Sequence, residues 1–247
     1  MKRNMMNADI LQLIEKRIEL PSPPAIAIQI LNNVKDEDSS LLDLAKIISA
    51  DPALTSKVLR IANSSFYALP TEVASVAKAL TVLGTNLVKN IALSFVISHD
   101  MHDKKNNLFD FDYFWRRAVT SAVAAELLTK TLKAENEDIF VTALLHDIGV
   151  LILYLSQGDG YRALLKERKA TGTFLYNLER QAYGFDHQQL GANLISSWGL
   201  PESVFIPIYY HHLSSEAPDD YRSTAEILQI ADLLSSIYCD TDRKSVV

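Results

Sequence analysis

The sequence predicts an all-α protein with two helical lobes. Its 247 residues include only 8 Gly and 8 Pro, about half the usual share of these turn-forming residues, whereas a β-sandwich or β-barrel needs a turn roughly every ten residues. Apolar residues recur every three or four positions, which places them on one face of a helix. No stretch shows the alternation typical of a strand, so we expect helices throughout.

Helix-capping residues and prolines divide residues 1–108 into the helices of an N-terminal bundle. Asn, Ser and Asp side chains accept hydrogen bonds from the first turn of a helix, and proline is favoured at the first helical position. In order, we expect helices behind Asn7, carrying Ile10, Ile14 and Ile18; after Pro24, carrying Ile26, Ile30, Leu31 and Val34; from Ser40–Asp43 to Ile48; from Asp51–Pro52 to Ala62; from Thr71 to Gly84; and from Thr85 to Phe95.

A polar segment without periodicity, residues 101–110, separates the bundle from a C-terminal helical lobe that we assign to residues 109–247. In order, the helices expected in this lobe cover about 112–133, 137–146 with an end near Gly149, a short stretch to Leu155, 161–169 after breaks at Gly158 and Gly160, 174–183, 186–198, 201–212 with a kink at Pro207, and 222–238.

Charge and cysteine content narrow the class of protein. The chain has 24 Lys+Arg and 30 Asp+Glu, a formal net charge of −6, which opposes non-specific binding to nucleic acid or to anionic lipid. Cys239 is the only cysteine, which excludes an internal disulfide and fits a reducing cytoplasm. The apolar stretch 139–155 is interrupted by His146 and Asp147, which a membrane span tolerates poorly. We therefore expect a cytoplasmic protein with no membrane partner.

Histidine and aspartate side chains accumulate in the second lobe. Four of the six histidines lie there, in His146-Asp147, His187 and His211-His212, and Asp232 interrupts an apolar helical face. Imidazole and carboxylate groups together suit a divalent Fe, Mn, Zn or Ni ion. For each residue alone, the alternative is a structural role as a hydrogen-bonded core histidine or as a capping or ion-paired aspartate.

With their surroundings, these residues resemble the HD superfamily of metal-dependent phosphohydrolases. Leu144–Gly149 matches the His-Asp element of that pattern, and Ile230–Asp232 matches its late aspartate. Gly184–Gly191, followed by Trp198–Pro201, and then His211-His212 are similar to the branch that includes the HD-GYP cyclic-dinucleotide phosphodiesterases. The resemblance implies a site for more than one metal, with a pool of six ligands: His146, Asp147, His187, His211, His212 and Asp232.

The sequence departs from the pattern of the catalytic family at two places that bear on phosphohydrolase activity. Arg117 stands where an early histidine is expected, and a guanidinium stays protonated and cannot ligate a metal. The acidic, glycine-rich segment ending in Gly-Tyr-Pro is absent after His212. If a metal is bound, Asp147 and Arg117 are the candidate catalytic residues, with Arg117 on a substrate phosphate. The alternative is that Arg117 neutralises Asp147 or Asp232 in a relic of the site.

The N-terminal lobe resembles the HDOD (HD-related output domain) family. The matching motifs are Leu20–Pro24, Ile47–Leu54, Lys57–Ser64 and Ser75–Gly84, and the resemblance covers about residues 20–232 as one continuous unit. It implies a bacterial signal-transduction module that acts mainly through contacts with signalling proteins and lacks a complete catalytic set. The alternative is a metal-dependent phosphohydrolase that acts on a nucleotide or cyclic dinucleotide.

Surfaces for such contacts are expected on the N-terminal lobe and in the cleft between the lobes. Phe66–Pro70 is either an exposed aromatic patch or an apolar loop in the core of that lobe. Lys57, Arg60, Lys78 and Lys89 are expected to lie on solvated helix faces, the alternative being contact with a nucleotide or nucleic acid.

Overall fold

The computed structural model describes residues 25–26, 29–30, 33, 40–63, 72–100, 109–134 and 136–245, without the side chains of 93, 95–100 and 241–245. These residues form helices joined by short turns, with no strand among them, which confirms the predicted all-α class. The helix expected behind Asn7, the segment Phe66–Pro70 and the linker residues 101–108 lie outside the described residues. The lobe boundary placed between residues 108 and 109 stays a prediction.

An N-terminal compact unit lies within Pro21–Lys105. It contains α1 (Leu41–Ser49), α2 (Pro52–Ala62), α3 (Val76–Leu83) and α4 (Thr85–Asp100). The capping box predicted at the start of α1 is present, since the Asp43 N–H donates to the Ser40 hydroxyl and the Ser40 N–H donates to the Asp43 carboxylate. Asp51 caps α2 by accepting the N–H groups of Ala53 and Leu54. Both caps are confirmed as the sequence predicts them.

The helix expected from Thr71 begins later than predicted. Residues 72–74 are not helical, and α3 begins behind Ser75, whose hydroxyl accepts the Lys78 N–H at 3.2 Å. Val73 is buried all the same, because the Asn63 side chain donates to its carbonyl at 2.9 Å and accepts its N–H at 2.7 Å. A non-helical segment held by Asn63 thus produces the apolar spacing that resembles a helical turn.

A second compact unit includes Asn106–Val247 and contains all the residues of the predicted metal site. In order, its elements are α5 (Phe111–Leu132), α6 (Ile139–Leu145), α7 (Ile148–Gln157), α8 (Asp159–Thr171), α9 (Leu175–Tyr183), α10 (His187–Ser197), α11 (Glu202–Tyr210), a 3-10 turn (Ser214–Glu216) and α12 (Asp219–Ser245). Long helices α5 and α12 pack along each other, and α10 packs against both α7 and α11.

Glycine positions in this unit differ from the prediction. Gly149 does not end a helix, since His146 and Asp147 form the break and Gly149 is the second residue of α7. A Cβ atom at Gly149 would lie 2.0 Å from the carbonyl oxygen of His187, so only glycine allows α7 and the start of α10 to approach this closely. Gly160 likewise lies inside α8, and the break is at Gly158 alone.

The apolar run Ile139–Gln157 forms the centre of this unit's core. By length and composition it is apolar enough to cross a membrane, but 83% of its most apolar window is buried inside the protein, and every residue of α6 is buried. Such burial is consistent with the core of a soluble protein. The His-Asp break between α6 and α7 therefore lies at the centre of the packed helices.

Candidate metal centre

The structure brings all six predicted metal ligands into one cluster. His146 and Asp147 form the break between α6 and α7, and His187 is the first residue of α10. The His211-His212 pair follows α11, and Asp232 lies within α12. Asp186 fixes the start of α10 through a capping box with Gln189, which holds the adjacent His187 at the helix terminus. Three helix boundaries and the interior of α12 thus bring the six ligands together.

The ligand atoms form two groups that share Asp147. Within each group, the candidate ligand atoms all lie within 4.8 Å of one another. The four-ligand group consists of Asp147, His187, His211 and His212; the three-ligand group consists of His146, Asp147 and Asp232. A cluster of this composition can hold a metal ion.

The orientation of three imidazole rings is fixed from outside the cluster. The Nδ1–H groups of His146 and His211 donate to the carbonyl oxygens of Ala143 and Ile208, at 2.6 and 2.7 Å. The Nδ1 of His187 lies 2.6 Å from a carboxylate oxygen of Glu179, to which it donates. In each ring the Nε2 atom is therefore the one that faces the cluster, as in histidines that ligate a metal.

Two Nε2 atoms of the four-ligand group face each other. The Nε2 atoms of His187 and His212 lie 3.1 Å apart. Burial lowers the pKa of His187, but the charge and hydrogen bond of Glu179 outweigh this and raise the pKa to about 9. Burial and the charges of His211 and His187 lower the pKa of His212 to about 2. Without a metal, a proton on His187 Nε2 therefore bridges the pair.

His211 provides the test of whether the four-ligand group fits a metal. Its ring is fully buried, and burial lowers its pKa, so it is neutral. Its Nε2 lies 3.6 Å from Asp147 Oδ1 and has no hydrogen-bond partner among the described residues. A buried acceptor without a donor is costly, and a cation between Asp147 and the three imidazoles would satisfy it. The residues present fit a metal ion.

Arg117 already pairs with both carboxylates of the three-ligand group. Its guanidinium forms an ion pair with Asp232, and Nη1 lies 3.6 Å from Asp147 Oδ2. Burial raises the pKa of both carboxyl groups, but their neighbours outweigh this and hold both pKa values below the usual range. For Asp232 these neighbours are His146 and Arg117, and for Asp147 they also include His211 and His187. Burial lowers the pKa of His146, yet the two aspartates raise it overall, so His146 donates to Asp232 at 3.1 Å. The ion pairing considered for Arg117 is therefore what the structure shows.

Glu179 is a site residue that the sequence reasoning missed. Its side chain is fully buried and accepts the backbone N–H of His187 at 2.9 Å, the Nδ1–H of the same residue, and the hydroxyl of Tyr161. A carboxylate behind a ligating histidine fixes the ring and increases its basicity. The signal was present, because Glu179 follows Leu175 and Leu178 at the spacing of the buried face of α9.

A cavity of about 650 Å³ lies beside the cluster. Its basic lining residues are Arg117, Arg162, Lys166 and Arg168. On another part of the wall the ring of Tyr176 stacks between Phe174 and His212, with centroid distances of 5.6 and 5.4 Å. The lining also includes Asp110, Asp147 and Asp232. The cavity therefore brings basic side chains and aromatic rings next to the four-ligand group, a combination that the sequence reasoning did not predict.

The remaining sequence candidates are not among the residues that line this cavity. Lys57, Arg60 and Lys78 are exposed, as expected of solvated helix faces, whereas Lys89 is buried. The expectation for Lys89 was therefore wrong, because α4 is buried around its whole circumference at this point, from Val88 to Ala92. Cys239 is a free, fully buried cysteine.

Comparison with known sequences gives a family match over most of the chain. The family model for the HDOD domain matches residues 20–214. An uncharacterized protein from Treponema pallidum (strain Nichols) is 22% identical over an alignment of 220 residues, which covers 87% of this chain and 42% of that relative. The chain therefore spans less than half the length of this curated relative.

Two solved structures are similar over nearly the whole chain. A "putative phosphohydrolase" from Shewanella amazonensis SB2B is 26% identical with a TM-score of 0.80, covering 95% of this chain and 82% of that one. An HDOD domain protein with unknown function from Geobacter sulfurreducens is 22% identical with a TM-score of 0.84, covering 96% and 78%. The second likeness concerns the fold alone.

Proposed function

Because the chain belongs to the HDOD domain family, we propose that it is a bacterial regulatory module that binds one divalent metal ion and acts through contacts with signalling proteins in the cytoplasm. The ion is held by the four-ligand group, Asp147, His187, His211 and His212. Three imidazole nitrogens and one carboxylate oxygen suit Fe, Mn, Zn or Ni. The observation that carries the metal assignment is the buried His211 Nε2, which has no partner among the described residues.

The distribution of charge supports one metal rather than two. Asp147 and Asp232 already contact the Arg117 guanidinium, and His146 donates from both of its ring nitrogens. Two positive charges thus balance two carboxylates, and the three-ligand group needs no ion. In the four-ligand group, three neighbouring imidazoles share one carboxylate, and a proton between His187 and His212 leaves His211 unsatisfied. A single ion completes this group and leaves the ion pairs of Arg117 in place.

The incomplete set of groups supports a regulatory role. A hydrolase that clamps a phosphoryl group between two metal ions needs both halves of such a cluster, and Arg117 closes one of them. The metal would then fix the relative positions of α7, α10 and the end of α11, and would make the C-terminal unit a rigid support for partner binding. Its buried, free Cys239 is compatible with a reducing compartment.

The second candidate function is single-metal hydrolysis of a phosphate ester. The observation that favours it is the cavity beside the four-ligand group, whose basic residues Arg162, Lys166 and Arg168 suit a phosphorylated ligand. When bound, a divalent ion lowers the pKa of a bound water and polarises a phosphoryl oxygen. The chain itself would supply Arg162, Lys166 and Arg168 to contact phosphoryl oxygens and Glu179 to hold His187 in place.

Metal content tests the main proposal. Protein purified without chelator and then saturated with Mn²⁺ should contain one equivalent by elemental analysis. We expect His211→Ala to lose the ion, while His146→Ala, in the other group, and the exposed control Asp159→Asn keep it. No bound metal in the wild type, or loss with His146→Ala but not with His211→Ala, would contradict the assignment.

Turnover separates the two functions. Metal-loaded protein is incubated with bis-p-nitrophenyl phosphate and with a cyclic dinucleotide, and product is measured for the wild type and for His211→Ala. The regulatory proposal expects no turnover by either protein. Turnover by the wild type that disappears in His211→Ala would favour the hydrolase.

A further inference from the structure

We propose that Arg117 takes the place of a second metal ion, so that His146, Asp147 and Asp232 form a latent metal site that the guanidinium keeps closed. This rests on the proposed function in one respect, namely that the four-ligand group holds the first ion. The chemical class of ligand for the latent site is a divalent transition-metal cation.

The three-ligand group has the geometry of a metal site. His146 Nε2 lies 3.1 Å from Asp232 Oδ1 and 3.5 Å from Asp147 Oδ2. The side chains of both aspartates are about nine-tenths buried and that of His146 is almost completely so. One imidazole and two carboxylates, converging inside the protein, are ligand types that divalent transition metals accept. A buried group of this kind needs a cation.

Arg117 supplies that cation. Its Nη2 contacts Asp232 Oδ1, the same oxygen that His146 Nε2 approaches, and its Nη1 lies 3.6 Å from Asp147 Oδ2. Its side chain is only 17% exposed. The guanidinium therefore occupies the open side of the group and contacts the oxygens that an ion would use. Because it stays protonated, it excludes a divalent cation both by its volume and by its charge.

Arg117 contacts the cluster through only part of its guanidinium. Its Nε is buried and has no hydrogen-bond partner among the described residues, so contact with the cluster runs through the two terminal nitrogens to Asp147 and Asp232. A histidine at the same position on α5 is shorter, but a metal–nitrogen bond of about 2 Å extends its reach. Residue 117 can then become a fourth ligand instead of a competing cation.

The test is the number of manganese ions bound by residue 117 variants. Mn²⁺ is titrated into the full chain and followed by elemental analysis and by electron paramagnetic resonance, in which two neighbouring Mn²⁺ ions give a spin-coupled signal. We expect one equivalent for the wild type and for Arg117→Lys, which keeps the positive charge. Arg117→His should bind two equivalents with the coupled signal, and His146→Ala in that background should return the count to one.

Arg117→Met keeps the experiment decisive if the histidine variant fails to fold. It removes the charge without adding a ligand that Mn²⁺ prefers, so we expect a second equivalent with at least tenfold weaker affinity than in Arg117→His. Two equivalents in the wild type or in Arg117→Lys would overturn the inference. So would a single equivalent in every folded variant that lacks the charge. A wild type without any metal would instead contradict the proposed function, whatever the variants bind.

Discussion

The Nε2 atoms of His187 and His212 lie 3.1 Å apart at the junction of α10 and the end of α11. Only a proton or a metal ion between them can satisfy two nitrogen atoms at this distance. A proton serves that pair alone, whereas a metal would also satisfy His211 Nε2. The contact therefore defines the position at which the four-ligand group would hold an ion, and it ties metal binding to the loss of one proton.

Metal binding should release about one proton per ion near neutral pH. The pKa of His187 is raised to about 9, so the metal-free protein carries this proton at pH 7 and an ion must displace it. The metal affinity should consequently rise about tenfold per pH unit up to about pH 9 and level off above it. Calorimetry of Mn²⁺ binding in buffers of different ionisation enthalpy measures the proton count. A count of zero at pH 7 would show that no proton bridges the histidines.

Removing the Glu179 charge should weaken metal binding. Glu179→Gln leaves an amide that holds His187 less firmly and makes its ring less basic, so we expect a loss of roughly 10- to 100-fold in Mn²⁺ affinity. The same change should lower the pKa of His187 and shift the pH dependence of binding to lower pH. The control is Glu167→Gln, on the exposed face of α8. Equal affinities of the two variants would leave Glu179 without a role in the site.

The substitution Gly149→Ala should destabilise the fold around the site. The Cβ atom would lie 2.0 Å from a backbone oxygen of His187, so α7 and α10 must separate, and we expect the free energy of unfolding to fall by about 3 kcal/mol. Gly160→Ala is the matched control, because Gly160 is also the second residue of its helix and its Cβ would meet only the Tyr183 hydroxyl, at 3.7 Å. That variant should lose no stability and can gain up to about 1 kcal/mol. Chemical denaturation of both variants measures the difference, and similar losses would refute the close-approach argument.

The basic wall of the cavity should contribute to anion binding. Orthophosphate binding to the metal-loaded protein is expected to weaken roughly tenfold or more in the double variant Lys166→Gln, Arg168→Gln, since each charged contact to phosphate is worth on the order of 1 kcal/mol or more. Lys169→Gln, on the same helix but outside the cavity lining, is the control. If Lys169→Gln weakened phosphate binding as strongly as the double variant does, the effect would come from the general charge of the protein and not from residues that line the cavity.

Much of this fold could be predicted because its signals are local. Ser40 and Asp51 cap their helices through side-chain hydrogen bonds to residues at most three positions away. Asp186 caps the helix that carries His187 in the same way. The helix start predicted at Thr71 and the helix end predicted near Gly149 were wrong for the same reason, because tertiary contacts produce both signals. The apolar spacing at Val73 comes from a tertiary contact with Asn63, and Gly149 serves a crossing between helices rather than a helix end.

The six ligand residues of the site could also be predicted from the sequence, but their separation into two groups could not. Resemblance placed six ligands in one pool, and the structure shows that they form two groups with Asp147 in common. Which group Arg117 closes depends on distances between α5, α7 and α12, and no periodicity encodes such distances. Glu179 was missed because a carboxylate on a buried face has no motif of its own, and its partner His187 lies in the next helix.

The central claim is that one metal ion is held by Asp147, His187, His211 and His212. Anomalous diffraction at the manganese edge, from crystals of the protein grown with Mn²⁺, locates the ion directly. The account predicts a single anomalous peak within about 2.3 Å of the Nε2 atoms of the three histidines and of an Asp147 carboxylate oxygen, with Arg117 still paired to Asp232. A peak between His146 and Asp232, or no peak in the cluster, would contradict it.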